Sequence, residues 1–123
     1  MTRILVADDE EFERRALGLI LSKAGIPELE VLTASNGREA LQILEQHDDI
    51  QAVFTDITMP VMSGTELLRE IASRDCWDHV VRVIISTDGS AARRAEVEQL
   101  DVKAYLEKPF RPEAIRDVLS SFI

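Results

Sequence analysis

Short apolar runs alternate with helical patterns along the whole chain. Four runs have strand length: Ile4-Leu5-Val6-Ala7, Ala52-Val53-Phe54-Thr55, Val81 to Ile85, and Ala104-Tyr105-Leu106. A weaker one is Glu30-Val31-Leu32-Thr33-Ala34. The runs starting at Ile4, Ala52 and Val81 are near-continuous, as parallel strands covered on both faces should be. Between the runs, apolar residues recur at helical spacing. Phe12, Ala16, Leu19 and Ile20 predict a first helix. Ala40, Leu41 and Leu44 predict a second, after the turn signal Ser35-Asn36-Gly37. Leu67, Leu68 and Ile71 predict a third. Ala91, Ala95 and Leu100 predict a fourth, weaker one. A fifth starts at Pro112, whose missing N–H suits a first helical turn, and carries Ala114, Ile115, Val118, Leu119 and Phe122.

Strand then helix, five times over, predicts an α/β domain with a parallel sheet and helices on both faces. In such sheets ligands sit beyond the carboxyl ends of the strands. The residues that follow each strand are therefore the candidate chemistry. Asp8, Asp9 and Glu10 follow the first strand, Asp56 the third, Ser86 and Thr87 the fourth, and Lys108-Pro109 the fifth.

Charge narrows the ligand. The formal net charge is −9 and the cations are scattered, which argues against nucleic-acid or anionic-membrane binding. No apolar stretch is long enough to span a membrane, and no signal-peptide pattern opens the sequence. The one cysteine, Cys76, rules out an internal disulfide and fits a reducing cytoplasm, where the protein is expected. His47 and His79 have no partner at ligand spacing, and Trp77 reads as a helix-end packing residue.

Asp8, Asp9 and Asp56 share one crevice if the first and third strands are neighbours. Two carboxylates about 4 Å apart repel by roughly 4 kcal/mol at an effective dielectric near 20. Lys108 offsets one charge, and a hard divalent cation such as Mg²⁺ would offset two while keeping positions open for a phosphoryl oxygen. Asp8-Asp9-Glu10 reads equally well as a helix cap. Asp56 alone reads as a turn residue, Ser86-Thr87 as a cap or turn, and Lys108 as a solvated charge. The loop Thr58-Met59-Pro60-Val61-Met62-Ser63-Gly64 adds information. Pro60 stiffens it, and Gly64 permits close backbone approach.

Taken together, Ile4 to Glu10, Asp56-Ile57-Thr58-Met59-Pro60 with Gly64, Ile84-Ile85-Ser86, and Tyr105-Leu106-Glu107-Lys108-Pro109-Phe110 carry a family signature. The sequence resembles the receiver domains of two-component response regulators, of the chemotaxis-regulator kind, over essentially its whole length. The resemblance implies one receiver domain over residues 1–123. Its fold would be a flavodoxin-like, doubly wound (βα)5 sandwich with strand order 2-1-3-4-5. It implies that Asp56 is the phosphoacceptor and that Mg²⁺ is held by Asp9, Asp56 and the Thr58 carbonyl, with Asp8 acting through a water. Ser86 and Lys108 would bind phosphoryl oxygens. Ser86 and Tyr105 would form the switch. Ser86 stands where threonine is more frequent, so a one-residue slip would make Thr87 the hydroxyl. Leu100-Asp101-Val102 stands where a glycine is common, at a position needing a left-handed backbone that Asp tolerates.

The function so implied is a phosphoacceptor switch, catalysing at most its own phosphorylation and dephosphorylation. The donor would be a sensor histidine kinase or a phosphotransfer protein. The reader would be a downstream protein, an output domain or a phosphorylation-dependent second copy. Two rivals stand beside it. A degenerate receiver would act only as a binding module. An aspartyl-nucleophile phosphatase of the haloacid-dehalogenase kind would need an acid where Thr58 stands.

Overall fold

A computed structural model describes residues 1–123. Five parallel strands form one sheet in the order β2-β1-β3-β4-β5. They are β1 (Thr2–Ala7), β2 (Leu29–Ala34), β3 (Ile50–Thr55), β4 (Val81–Ser86) and β5 (Val102–Glu107). The helices are α1 (Glu11–Ser22), α2 (Gly37–Gln46), α3 (Gly64–Ala72), α4 (Ala91–Val97) and α5 (Pro112–Ser120). This is the expected doubly wound sandwich. The strands run one to three residues beyond the apolar runs, mostly at their amino ends.

Strand periodicity splits the core in two. Leu5, Val53 and Ile84 point to the layer closed by α2 and α3, with Leu44, Leu68 and Ile71. Ile4, Val6, Phe54 and Val83 point to the opposite layer, closed by α1 and α5 with Leu17, Leu21 and Ile115.

Local chemistry starts the helices. Asn36 Oδ1 accepts the Glu39 N–H at 2.9 Å to cap α2. Ser63 and Glu66 form a reciprocal capping box at α3, at 3.1 and 3.2 Å. Ser90 caps α4 through the Arg93 N–H at 3.2 Å. Pro112 opens α5, as the sequence predicts.

In two helices the apolar spacing and the buried face do not coincide. In α1, Phe12 is 80% exposed and Leu19 55%, while Leu17 and Leu21 are buried. Of the apolar stripe that marks the helix, Ile20 packs against the core, while Phe12 and Leu19 face outward. In α4, Ala91 and Ala95 are exposed and Val97 is the buried residue. The helix stops at Val97, and a 3-10 turn carries the chain to Leu100. Asp101 then takes the left-handed conformation foreseen for it, with φ 56° and ψ 48°.

One buried cation was not foreseen. Arg82, 4% exposed on β4, donates to the Trp77 carbonyl at 3.3 Å and the Leu100 carbonyl at 3.4 Å. Its guanidinium lies 3.5 Å from Asp101. It ties the start of β4 to the two turns that enclose it.

Val61 is strained. It is β-branched, 73% exposed, and held at φ 67°, where such residues are outliers. Asn tolerates this conformation. Val61→Asn is expected to stabilise the fold by about 1 kcal/mol, read as a higher urea midpoint at unchanged slope. An unchanged midpoint would mean that the strain is not there.

Candidate functional site

The ends of β1, β3 and β5 each continue the ladder by one more backbone bond, and that bond places the next side chain. Asp8 N–H donates to the Ala34 carbonyl at 3.0 Å, Asp56 N–H to Ala7 at 2.9 Å, and Lys108 N–H to Ser86 at 2.8 Å. Residues from β1, β3, β4 and β5 are thereby fixed at one edge of the sheet. The Lys108-Pro109 peptide is cis.

At this edge the Lys108 ammonium bridges two acids. Its Nζ lies 2.8 Å from Asp8 Oδ2 and 3.1 Å from Asp56 Oδ2. The three side chains are only 7%, 9% and 13% exposed, in the order Lys108, Asp8, Asp56, so these ion pairs are shielded from solvent and from salt. Asp9 stands beside them, exposed. One carboxylate oxygen from each of Asp8, Asp9 and Asp56 lies within 4.8 Å of the others. Three hard oxygen donors at that spacing suit a small divalent cation.

The electrostatics follow from these distances. Burial pushes the Asp56 carboxyl above its ordinary value, and the Lys108 charge only partly offsets this. Burial would lower Lys108, but its hydrogen bond to Asp8 and the Asp56 charge outweigh that and hold it above an ordinary lysine. Lys108 sits nearer to Asp8 than to Asp56. Asp56 is therefore the under-compensated acid of the pair.

The acids do not cap α1. Its N-cap is Glu10, which makes no side-chain cap bond. Asp8 Oδ1 instead accepts the Glu10 N–H at 3.0 Å, and Arg14 donates to the Asp8 carbonyl at 2.7 Å. Asp56 Oδ1 accepts the Ile57 N–H at 2.7 Å. Both site carboxylates are thus held in place by neighbouring backbone.

The β3–α3 loop packs directly beneath Asp56. Gly64 N–H donates to the Ile57 carbonyl at 2.7 Å. A Cβ on Gly64 would lie 1.8 Å from the Asp56 carbonyl oxygen. Gly37 meets the same loop, donating to the Met62 carbonyl at 2.9 Å. Thr58 is exposed on this loop.

Ser86 is buried at the end of β4, and Thr87 is exposed. Ser86 Oγ accepts the Asp88 N–H at 3.1 Å. The Tyr105 hydroxyl donates to the Asp88 carbonyl. Two α4 residues without any signal in the sequence complete the surroundings. Arg93 pairs with Asp88 at 3.3 Å, and the Arg94 guanidinium lies 4.5 Å from the centre of the Tyr105 ring. In the sequence both belong to a charged stretch that looks like any solvated helix face.

Known proteins resemble this chain in sequence and fold. The model of the response regulator receiver domain matches residues 4–120. The chemotaxis protein CheY of Thermotoga maritima is 36% identical over 120 residues, covering 96% of this chain and 94% of that protein. A CheY homolog of Campylobacter jejuni is 28% identical over 121 residues, covering 98% and 92%. Among solved structures, chemotaxis protein CheY4 of Vibrio cholerae superposes with a TM-score of 0.88 at 28% identity, covering 100% of this chain and 99% of that one. With the matched region spanning nearly the whole sheet, its strand order and the acid-rich edge, the chain belongs to the response regulator receiver domain family.

Proposed function

We propose that residues 1–123 form one receiver domain that accepts a phosphoryl group on Asp56. The observation that carries this reading is the Lys108 ammonium set between Asp8 and Asp56. It leaves Asp56 fixed, desolvated and short of positive charge, as a carboxylate nucleophile for phosphoryl transfer should be.

Each residue has a distinct task. An Asp56 oxygen attacks the phosphorus of a phosphohistidine. The P–N bond breaks, and the imidazole leaves with the bonding electrons and takes a proton from solvent. Lys108 already touches Asp56 and would move onto a phosphoryl oxygen. Ser86 accepts from Asp88, which leaves its own O–H to donate to another phosphoryl oxygen. Asp9, Asp56 and the Thr58 carbonyl would hold Mg²⁺, with Asp8 bonded through a water. Bound there, Mg²⁺ would supply positive charge that neutralises the acids and the transferring group.

The donor is a sensor histidine kinase or phosphotransfer protein. Two exposed apolar residues flank the acids: Phe12 at the start of α1 and Val61 on the β3–α3 loop. They suit a protein surface that brings the phosphohistidine to the cleft. Output runs through α4 and β5, where Tyr105 meets the loop that Ser86 begins. A partner, an output domain or a second copy reads that surface. The domain signals as a phosphoprotein in a two-component relay.

The test is mass spectrometry after treatment with acetyl phosphate and Mg²⁺. One phosphoryl group is expected, on the peptide that carries Asp56. Modification at another residue, or none, would sink the reading.

A further inference from the structure

Residue 88 joins two hydroxyls. Its N–H bonds Ser86 Oγ, and its carbonyl accepts from Tyr105. A rotation of the Ser86 hydroxyl toward Asp56 would pull on the first bond and, through residue 88, on the second. The reach of that disturbance depends on how firmly Tyr105 is held.

Tyr105 is held from α4 by Arg94. The guanidinium lies 4.5 Å from the ring centre, at cation–π distance. Its fork is itself tied down. Nη2 lies 3.1 Å from Glu107 Oε1, and Nε donates to the Gly89 carbonyl at 3.4 Å. Gly89 is part of the same fit, because a Cβ there would lie 2.1 Å from Glu107 Oε1. One side chain therefore spans the β4–α4 loop, the helix and the edge strand, with the ring beneath it. Burial holds the Tyr105 phenol above its ordinary value, and the nearby Ser86 hydroxyl offsets part of that.

We propose that Arg94, oriented by Glu107, is a positioning residue that caps the Tyr105 ring and keeps its hydroxyl on the Asp88 carbonyl. The clip sets how tightly the α4–β5 surface follows the state of Ser86. The inference rests on the phosphoacceptor reading only for what makes Ser86 move. The clip itself stands on the unphosphorylated geometry.

The chain has one tyrosine, so 3-fluorotyrosine labelling gives one ¹⁹F resonance. The Arg94 side chain is 43% exposed, so R94Q leaves the core untouched. In the unphosphorylated protein, R94Q is expected to move the resonance toward its position in the denatured chain. The capped-to-released ratio should fall about two- to five-fold. E107Q should move it the same way by less. R94K, which keeps a charge over the ring, should stay nearer the wild type. The pair is partly solvated, so added salt should move the wild-type resonance toward that of R94Q. Coincident wild-type and R94Q resonances, or R94K moving as far as R94Q, overturn the proposal. With acetyl phosphate and Mg²⁺, the displacement on phosphorylation should be about two-fold smaller in R94Q than in wild type. Equal displacements overturn the coupling. A wild type that takes no phosphoryl group would defeat the Asp56 reading while leaving the comparison of unphosphorylated proteins decisive for the clip.

Discussion

Asp56→Asn is expected to reduce phosphoryl acceptance from acetyl phosphate by on the order of 10³-fold or more. Asparagine matches aspartate in size but has no anionic oxygen to attack phosphorus. The Lys108–Asp8 contact does not involve residue 56, so the fold should survive the change. The measurement is the rate of mass gain with Mg²⁺ present. Acceptance by the variant at the wild-type rate would remove Asp56 from the mechanism. The same substitution has a stability signature. Burial raises the Asp56 carboxyl above its ordinary 3.8. Between that value and the raised one, the folded state holds a proton that the unfolded state has released. Wild-type stability must then fall as pH rises through that window. Asp56→Asn lacks this loss. In metal-free buffer its stability advantage should grow through the mildly acidic range and then level off. Mg²⁺ should reverse the order, because a cation that binds the folded acids stabilises the wild type more.

The second large effect is structural. Gly64→Ala is expected to destabilise the fold by about 3 kcal/mol. The added Cβ would lie 1.8 Å from the Asp56 carbonyl oxygen, 2.8 Å from its carbon and 3.0 Å from Ile57 Cα. All three are backbone atoms, so no side chain can swing away. Relief requires the loop to leave Asp56, which breaks the bond from Gly64 N–H to the Ile57 carbonyl. The displaced carboxylate should also accept phosphate about 10²-fold more slowly, the penalty for misplacing a reacting group by about 1 Å. Urea unfolding and the acetyl phosphate rate check both halves. An alanine variant with wild-type stability would show that the loop does not press on residue 56.

The sequence reveals the sheet because central strands are apolar on both faces. β1, β3 and β4 are plain in it. β2 is faint because it lies at the sheet edge, and most of its residues are half-buried or exposed. The fold and the family follow from this alternation and from the residues at the strand ends. The helix faces follow less well. Phe12 and Leu19 form an apolar stripe as regular as any core stripe, and only packing shows that it faces outward. Alanine carries too little apolar area to mark a face, so Ala91 and Ala95 mislead in α4. Arg82 interrupts an apolar run, and its partners are mainly backbone carbonyls, which no side-chain pattern announces. For the site, sequence spacing brings Asp8, Asp56, Ser86 and Lys108 to one edge, and the structure puts Lys108 between the two acids. The Arg94–Tyr105–Glu107 group is invisible beforehand, because charged residues on an exposed helix carry no sign of what they touch.

Lys108 meets Asp8 across 100 positions of chain and Asp56 across 52. No fragment lacking the fifth strand can assemble this charge balance. A growing polypeptide still missing its last segment would keep its acids mutually repelled and without their amine. The acid–amine cluster thus assembles only when the β-sheet is complete, because its cation follows directly on the last strand.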